Sequence, residues 1–380
     1  MPWQKASLME IRKEVVLRAL EPGANITELA SEYGVSRKTV HKWLNRFRAE
    51  GLAGLEDRSR CPHNRKLAAS GEIVMKLIEL RQKNMTWGAK KLRRVILRTE
   101  DEADVPSVRT IARIIERAGL VRRRRSSVPG AQPSNAPNPP ADAPNDLWTF
   151  DFKGWWRTGD GSRCEPLTAR DAASRFVLAT DVFESPKQEL VRASCERLFE
   201  QYGLPKGILI DNGAPFACTR ARGGLTRLSA WWVSLGITVY RSRPGNPQDN
   251  GGHERMHGDI ALEVEATPST TLELEQAALD LWRHKFNHVR PHEALEGRCP
   301  ADVYTKSTRR YRGSRRFVYP RSFATRKVSS SGCCNYNGHV IRISKALAGF
   351  HVGLHVFQDE LRVRFFEVDL GAIDIPGIVA

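Results

Sequence analysis

The chain has 380 residues, 41% of them hydrophobic, and a net charge of +17. That length supports at least one substantial buried core and favours two or more domains. No window approaches the roughly 18 consecutive apolar residues of a membrane span, and the opening residues, Met1 to Ser7, lack the apolar stretch of a secretory signal, so no membrane partner and a cytoplasmic location are expected.

The seven cysteines, at 61, 164, 195, 218, 299, 333 and 334, are odd in number and show no CxxC spacing. They support neither a disulfide framework nor a zinc cluster, and the adjacent Cys333 and Cys334 read as structural thiols. Charge is unevenly distributed. Residues 1–125 hold 28 Lys and Arg against 15 Asp and Glu, residues 126–302 hold 19 against 23, and residues 303–380 hold 13 against 5. Both ends are therefore basic, and between Val303 and Gln358 eleven Lys or Arg occur with no acidic residue. Such segments suit a polyanion, and nucleic acid is the natural candidate.

In chain order, residues 8–20 have helical apolar spacing and stop at Pro22-Gly23. A short helix with Ile26, Leu29 and Ala30 inward follows. Ser36 is the expected N-cap of a third helix over 37–50 that faces Val40, Leu44 and Phe47 inward. This is a helix-turn-helix pattern, assigned to residues 1–57. Its last helix turns Arg37, Lys38, Thr39, His41, Lys42, Asn45 and Arg46 outward, types suited to phosphates and base edges in a major groove. After a polar connector at 58–69, a second helix-turn-helix unit is expected over 70–125. Its helices lie near 72–82, 88–97 and 106–119, with Lys90, Lys91, Arg93 and Arg94 on the middle one and Arg109, Arg113 and Arg117 on the last. Arg122 and Arg123 begin an arginine run suited to a phosphate backbone, and residues 126–145, rich in Pro, Ala, Asn and Ser, read as a linker.

From Trp148 the rhythm changes to strands, at 148–156, 163–169 and 175–180. A helix to about Tyr202, a buried strand at 208–211, a helix at 225–235, a strand at 237–241 and helices at 250–263 and 272–289 complete a unit over 146–302. That order is the order of a ribonuclease-H-like α/β fold. Residues 316–368 alternate short strands and turns, so the basic segment 303–380 is expected to form a small all-β barrel. The expected fold class is therefore multidomain: all-α helix-turn-helix units, an α/β core and an all-β C-terminal barrel.

Three acids stand apart in this pattern. Asp151 lies in an aromatic strand, Asp211 ends a second apolar run, and Glu254 follows Asn250-Gly-Gly-His253 at a turn into a helix. A carboxylate inside a strand is costly to bury without a cation or hydrogen bonds to compensate it. Three carboxylates can hold two Mg²⁺ ions, hard cations that complete their shells with water and phosphate oxygens. Two ions about 3.5–4 Å apart suit in-line phosphoryl displacement. The rivals Asp249, Asp259 and Glu263 lack the turn-to-helix setting, and Asp171 and Asp181 read as turn formers or caps. The Gly/Pro-rich stretch from Arg243 is a loop able to close over a DNA end.

These motifs resemble those of insertion-sequence transposases with a DDE integrase core, in the retroviral-integrase superfamily. The resemblance rests on Trp148-Thr-x-Asp-Phe-Lys153, Asp211-Asn-Gly213, Asn250-Gly-x-x-Glu-Arg255 and Phe286-Asn-x-x-Arg-Pro-His-Glu-Ala-Leu295, together with the paired helix-turn-helix units. It implies that Asp151, Asp211 and Glu254 are the catalytic metal ligands for two Mg²⁺ ions, with Mn²⁺ as a substitute. It also implies binding of double-stranded DNA, both terminal inverted repeats and target, by a homodimer or higher oligomer at the nucleoid of a prokaryotic cell. Arg255 and His257, beside the third acid, join the expected DNA contacts. The activity implied is cleavage of the transposon ends and joining of their 3′-hydroxyls to target DNA. A domesticated, catalytically unused DNA-binding regulator is the alternative, and a nuclease acting on RNA–DNA hybrids a further one. The chain departs from the family in its 42-residue spacer between Asp211 and Glu254, with 217–229 as an insertion, and in having no zinc module before the core.

Overall fold

The computed structural model describes residues 7–58, 69–121, 139, 141–218, 221–243, 251–358 and 360–373. It divides into two compact units, Met1–Leu67 and Ala68–Ala380. Among the described residues no helix is long and apolar enough to cross a membrane.

The first unit consists of α1 (Leu8–Ala19), α2 (Ile26–Glu32) and α3 (Arg37–Glu50). Each begins where a short polar side chain satisfies an otherwise unpaired helical N–H. Ser7 forms a reciprocal capping box with Glu10, Asn25 accepts from Thr27, and Ser36 accepts from Thr39. Val15, Leu29, Ala30 and Val40 bury one side of α1. Val16, Trp43, Leu44 and Leu55 bury the other. The guanidinium of Arg12 lies 4.1 Å above the Trp43 ring and donates to the Leu55 carbonyl at 2.8 Å, which fastens the turn after α3 back onto α1.

The second unit opens with α4 (Gly71–Lys83), α5 (Ala89–Ile96) and α6 (Val108–Arg117), the first and last capped by Ser70 and Ser107. Their small core of Ile73, Leu77, Trp87, Leu92, Ile96, Val105, Ile111 and Ile115 is closed by the buried Arg81. Its side chain donates to the carbonyls of Trp87 and Leu120, so a cation replaces the backbone partners that the loops lack.

A mixed sheet follows, built from β1 (Leu147–Phe152), β2 (Trp156–Arg157), β3 (Arg163–Asp171), β4 (Val177–Phe183), β5 (Gly207–Ile210) and β6 (Thr238–Arg241). The strand order is β2-β3-β1-β5-β6 with β4 also on β3. The first strands pair antiparallel, and β1, β5 and β6 run parallel. The strand expected over 148–156 breaks at Gly154, whose φ of 90° suits glycine, and Trp155 beyond it is 52% exposed. On one face Trp148 and Phe150 pack against α7 (Gln188–Tyr202) and α8 (Arg227–Ser234) through Phe199, Trp231 and Trp232. The other face is covered by α9 (Gly251–Ile260), which continues as a π-turn over Ala261–Glu265, and by α10 (Leu272–His288), before the short α11 (Pro300–Val303). Leu279, Trp282 and Phe286 of α10 meet Met256 and Ile260 of α9 over Val177. This is the ribonuclease-H-like core expected from the element order.

The C-terminal strands are β7 (Ala324–Lys327), β8 (Cys333–Tyr336), β9 (His339–Arg342), β10 (His351–Phe357), β11 (Glu360–Phe365) and β12 (Val368–Ile373). They form a four-stranded sheet in the order β12-β11-β10-β7 and a separate β8–β9 hairpin, whose turn places Asn337 and Gly338 at positive φ. The expected barrel is not confirmed. Among the described residues β7 and β12 remain sheet edges and the hairpin pairs only with itself, so no ladder closes the ring. Cys334 is buried in this region's core, and no disulfide joins it to Cys333.

Asn287 ties α10 to the sheet. Its side-chain oxygen accepts from Val177 N–H at 2.9 Å and its amide donates to the Val177 carbonyl at 2.8 Å, all in a buried setting. Replacing Asn287 by Ala leaves two buried backbone groups unpaired, at about 1–3 kcal/mol each. Urea denaturation should show a loss of roughly 2–5 kcal/mol, and a loss under about 1 kcal/mol would contradict this role.

Candidate active site

The register of β1 on β5 positions the first two acids. Leu147 pairs with Gly207, Trp148 with Ile208 and Thr149 with Leu209. The same offset carried two residues further sets Asp151 opposite Asp211, the residue that follows β5. Strand alternation explains the facing: Trp148 and Phe150 enter the core, and Thr149 and Asp151 take the opposite face. The Asp211 turn is held by Asn212, which donates to the Ser242 carbonyl at 2.7 Å. An added Cβ at Gly213 would stand 2.9 Å from an Asp211 carboxylate oxygen and would displace that carboxylate.

Glu254 lies exposed in the first turn of α9. Two hydrogen bonds fix that helix to the sheet. His253 Nδ1 shares one of 2.9 Å with Thr149 Oγ1, and His257 Nε2 shares one of 2.8 Å with Thr168 Oγ1. Thr168 stands opposite Asp151 in the β1–β3 register and donates to its carbonyl at 2.9 Å. Burial favours the neutral form of both imidazoles, pushing His253 well below the usual range and His257 down to about 4.

The Asp151 carboxyl is pushed up to about 7, first by burial and then by the charge of Asp211, with Glu254 adding a smaller effect and the Phe152 N–H opposing it. A buried carboxyl whose ionisation is opposed by the charges of Asp211 and Glu254 suits a hard divalent cation, which would supply the missing positive charge. Among the described residues no three His, Cys, Asp or Glu side chains converge closely enough to ligate one ion. The rival acids are engaged elsewhere. Asp259 pairs with Arg290 at 2.7 Å, Glu263 accepts from Thr86, Asp171 closes a turn on Ser174 and Asn145, and Asp181 pairs with Arg197. Asp249 and the loop after Arg243 lie outside the described residues.

Residues 141–247 and 235–300 each match a family described as an integrase core domain. Residues 11–63 match a helix-turn-helix domain and residues 39–115 a homeodomain-like domain. An uncharacterised 31.7 kDa protein of insertion element IS407 from Burkholderia multivorans is 27% identical over 265 residues, covering 69% of this chain and 91% of the relative. An uncharacterised 39.2 kDa protein of insertion element IS476 from Xanthomonas euvesicatoria is 26% identical over 295 residues, covering 76% and 80%. The integrase-core and helix-turn-helix matches, with the insertion-element relatives, support an insertion-sequence transposase. The same matches support DNA binding, DNA transposition in general terms and an enzyme of the polynucleotidyl-transferase class. The catalytic core domain of BIV integrase is similar at 23% identity and a TM-score of 0.32, covering 42% of this chain and 93% of that one. The HTLV-2 integrase catalytic core in complex with magnesium is similar at 15% identity and a TM-score of 0.32, covering 43% and 98%.

The expected DNA contacts divide into groups. On α3, Arg37, Lys38, His41, Lys42 and Asn45 are exposed. Thr39 is partly covered and tied to Ser36, and Arg46 leans over the Trp43 ring at 5.0 Å. Arg109 and Arg113 are exposed on α6, and so is Arg255 on α9. Arg122 and Arg123 lie outside the described residues. One expectation differs from the structure. His257 is a largely buried neutral imidazole bonded to Thr168, so it presents no cation to a phosphate. Lys90 is exposed and forms a surface ion pair with Glu293 at 2.8 Å, and its neighbour Arg94 donates to the Glu296 carbonyl. Sequence reading missed Thr149, Thr168 and His253 as the supports of the site. The i, i+4 spacing of His253 and His257 around Glu254 was the available signal.

A carboxyl raised from 3.8 to about 7 favours folding fully below about pH 4, and that contribution is lost as pH rises through 7. In the presence of a chelator, wild-type stability should therefore fall between pH 4 and 8 by up to about 4 kcal/mol more than that of Asp151→Asn. Urea melts across that range test it, and parallel pH profiles would exclude Asp151 as the cause.

Proposed function

We propose that this transposase binds the terminal inverted repeats of its own element, cleaves the transposon ends and joins their 3′-hydroxyls to target DNA. Asp151, Asp211 and Glu254 are the residues assigned to hold two Mg²⁺ ions, with Mn²⁺ as a substitute. When bound, such a pair activates the attacking oxygen and stabilises the leaving oxygen of an in-line displacement. The observation that carries this reading is the raised Asp151 carboxyl, with the charges of Asp211 and Glu254 among its causes. Those causes indicate like charges gathered at one sheet edge. The remaining residues supply positioning: His253 and His257 hold α9 on its strands as neutral hydrogen-bond partners, and Asn212 fixes the turn that carries Asp211. The exposed residues of α3 and α6 supply the duplex contacts. Two ends joined in one event call for a homodimer or a higher oligomer on DNA.

The test is Mg²⁺-dependent cleavage and strand transfer on a duplex bearing the element's terminal repeat. Glu254→Gln and Asp211→Asn should each lower both steps by at least about a thousandfold, comparable to removal of a key electrostatic group, while repeat binding persists. Cleavage retained in either variant would refute the assignment. Repeat binding without cleavage by wild type would favour the catalytically unused regulator. Separately, Arg46→Ala should weaken duplex binding and reduce the salt slope by about one, as measured by anisotropy, with no change in Mg²⁺ dependence.

A further inference from the structure

The face of α9 that carries Gly252, Arg255, Met256 and Asp259 lines a recess of about 660 Å³, set around the helix from His253 and His257. Lys91 of α5, Arg170 of β3, Arg175, Arg255 and Arg290 all contribute to its wall. Among the described residues two carboxylates join these five cations, and both are already paired: Asp259 with Arg290 at 2.7 Å and Glu293 with Lys90 at 2.8 Å.

The buried groups in this wall are short of partners. Arg170 is 8% exposed and its Nε makes no hydrogen bond. Arg290 is 7% exposed, and its Nε and Nη1 make none, although Nη1 stands 3.9 Å from Glu263. Buried polar atoms are nearly always satisfied, so several orphaned nitrogens around one cavity indicate a missing acceptor. Like charges reinforce the point. Burial and Arg175 push Arg170 down to about 10, and burial and Arg290 push Lys91 down to about 8. Gly252 completes the cradle, since an added Cβ would overlap the Arg170 guanidinium.

We propose that this recess is a phosphate site, separate from the carboxylates, that takes one backbone phosphate of the substrate DNA on Arg170, Arg175, Arg255 and Arg290. Guanidinium forks match the oxygens of a phosphodiester. DNA is the source to which the geometry points, because Arg255 follows Glu254 on the same helical turn, so a strand led past the carboxylates is led past the recess. In this respect the inference rests on the proposed function. Such a contact fixes register without reading a base.

The test uses the full chain, with thermal unfolding in pyrophosphate at constant ionic strength and salt-dependent binding to a short duplex. Wild type should gain about 3 °C or more at saturating pyrophosphate, and Arg170→Leu and Arg255→Gln less than about 1 °C. Each variant should also lower the slope of log affinity against log salt by about one. Arg255 is exposed, so its variant keeps the test decisive if Arg170→Leu fails to fold. Equal gains in all proteins would overturn the site. A gain confined to wild type with unchanged duplex slopes would assign the recess to a free anion and overturn the DNA assignment. Asp151→Asn should retain the pyrophosphate response, so failure of the carboxylate reading would be seen apart from failure of this one.

Discussion

Two histidine–threonine hydrogen bonds hold the third acid in place. Glu254 belongs to a helix that no strand ladder positions, and the sheet can fix only Asp151 and Asp211 by register. The link between helix and sheet is made by His253 on Thr149 and His257 on Thr168, from the strand bearing Asp151 and from its antiparallel neighbour. These bonds lie where burial disfavours charge, so both imidazoles serve as neutral partners. A protonated ring would place positive charge beside Arg170 and Lys153 in a poorly solvated layer. The arrangement of the acids thus depends on the histidines staying neutral.

The same helix serves two environments. One face carries the histidines to the sheet, and the face beginning at Gly252 meets a wall of arginines. The Phe286 to Leu295 motif gains a physical meaning from this. Phe286 packs in the core beneath α9, Asn287 completes the hydrogen bonding of Val177, Arg290 engages Asp259, and His292 stacks edge-on against Phe286. Each residue braces α9 or the strand beneath it, so a motif remote in sequence from the acids supports the helix that bears one of them.

Much of this was legible in the chain because local chemistry announced it. Ser36 and Ser107 mark helix starts by capping, the alternation at Trp148, Phe150 and Asp151 separates core from site, and Asn337-Gly338 encodes its own turn. What was not legible depends on partners distant in the chain. Nothing in the amphipathic pattern of α5 distinguishes a face that meets DNA from one that meets Glu293, since both call for lysine and arginine. The burial of His257 likewise follows from Thr168, 89 residues away. Closure of a β-barrel is a matter of which edges pair, and alternation alone does not specify it. Trp43, read past in favour of Phe47, proved to be the residue on which Arg12 and Arg46 lie.

The docking of α5 on the core also has a mechanical side. Lys90 meets Glu293, Arg94 meets the Glu296 carbonyl, Arg98 reaches the Val289 carbonyl and Cys299 Sγ, and Thr86 meets Glu263. The small apolar core under α4 to α6 also includes contact with Val289. A three-helix unit this small has little apolar area with which to stand alone. Its amides should therefore exchange with solvent at a rate set by the opening of the α/β core, making the two a single cooperative block rather than a domain tethered to an enzyme.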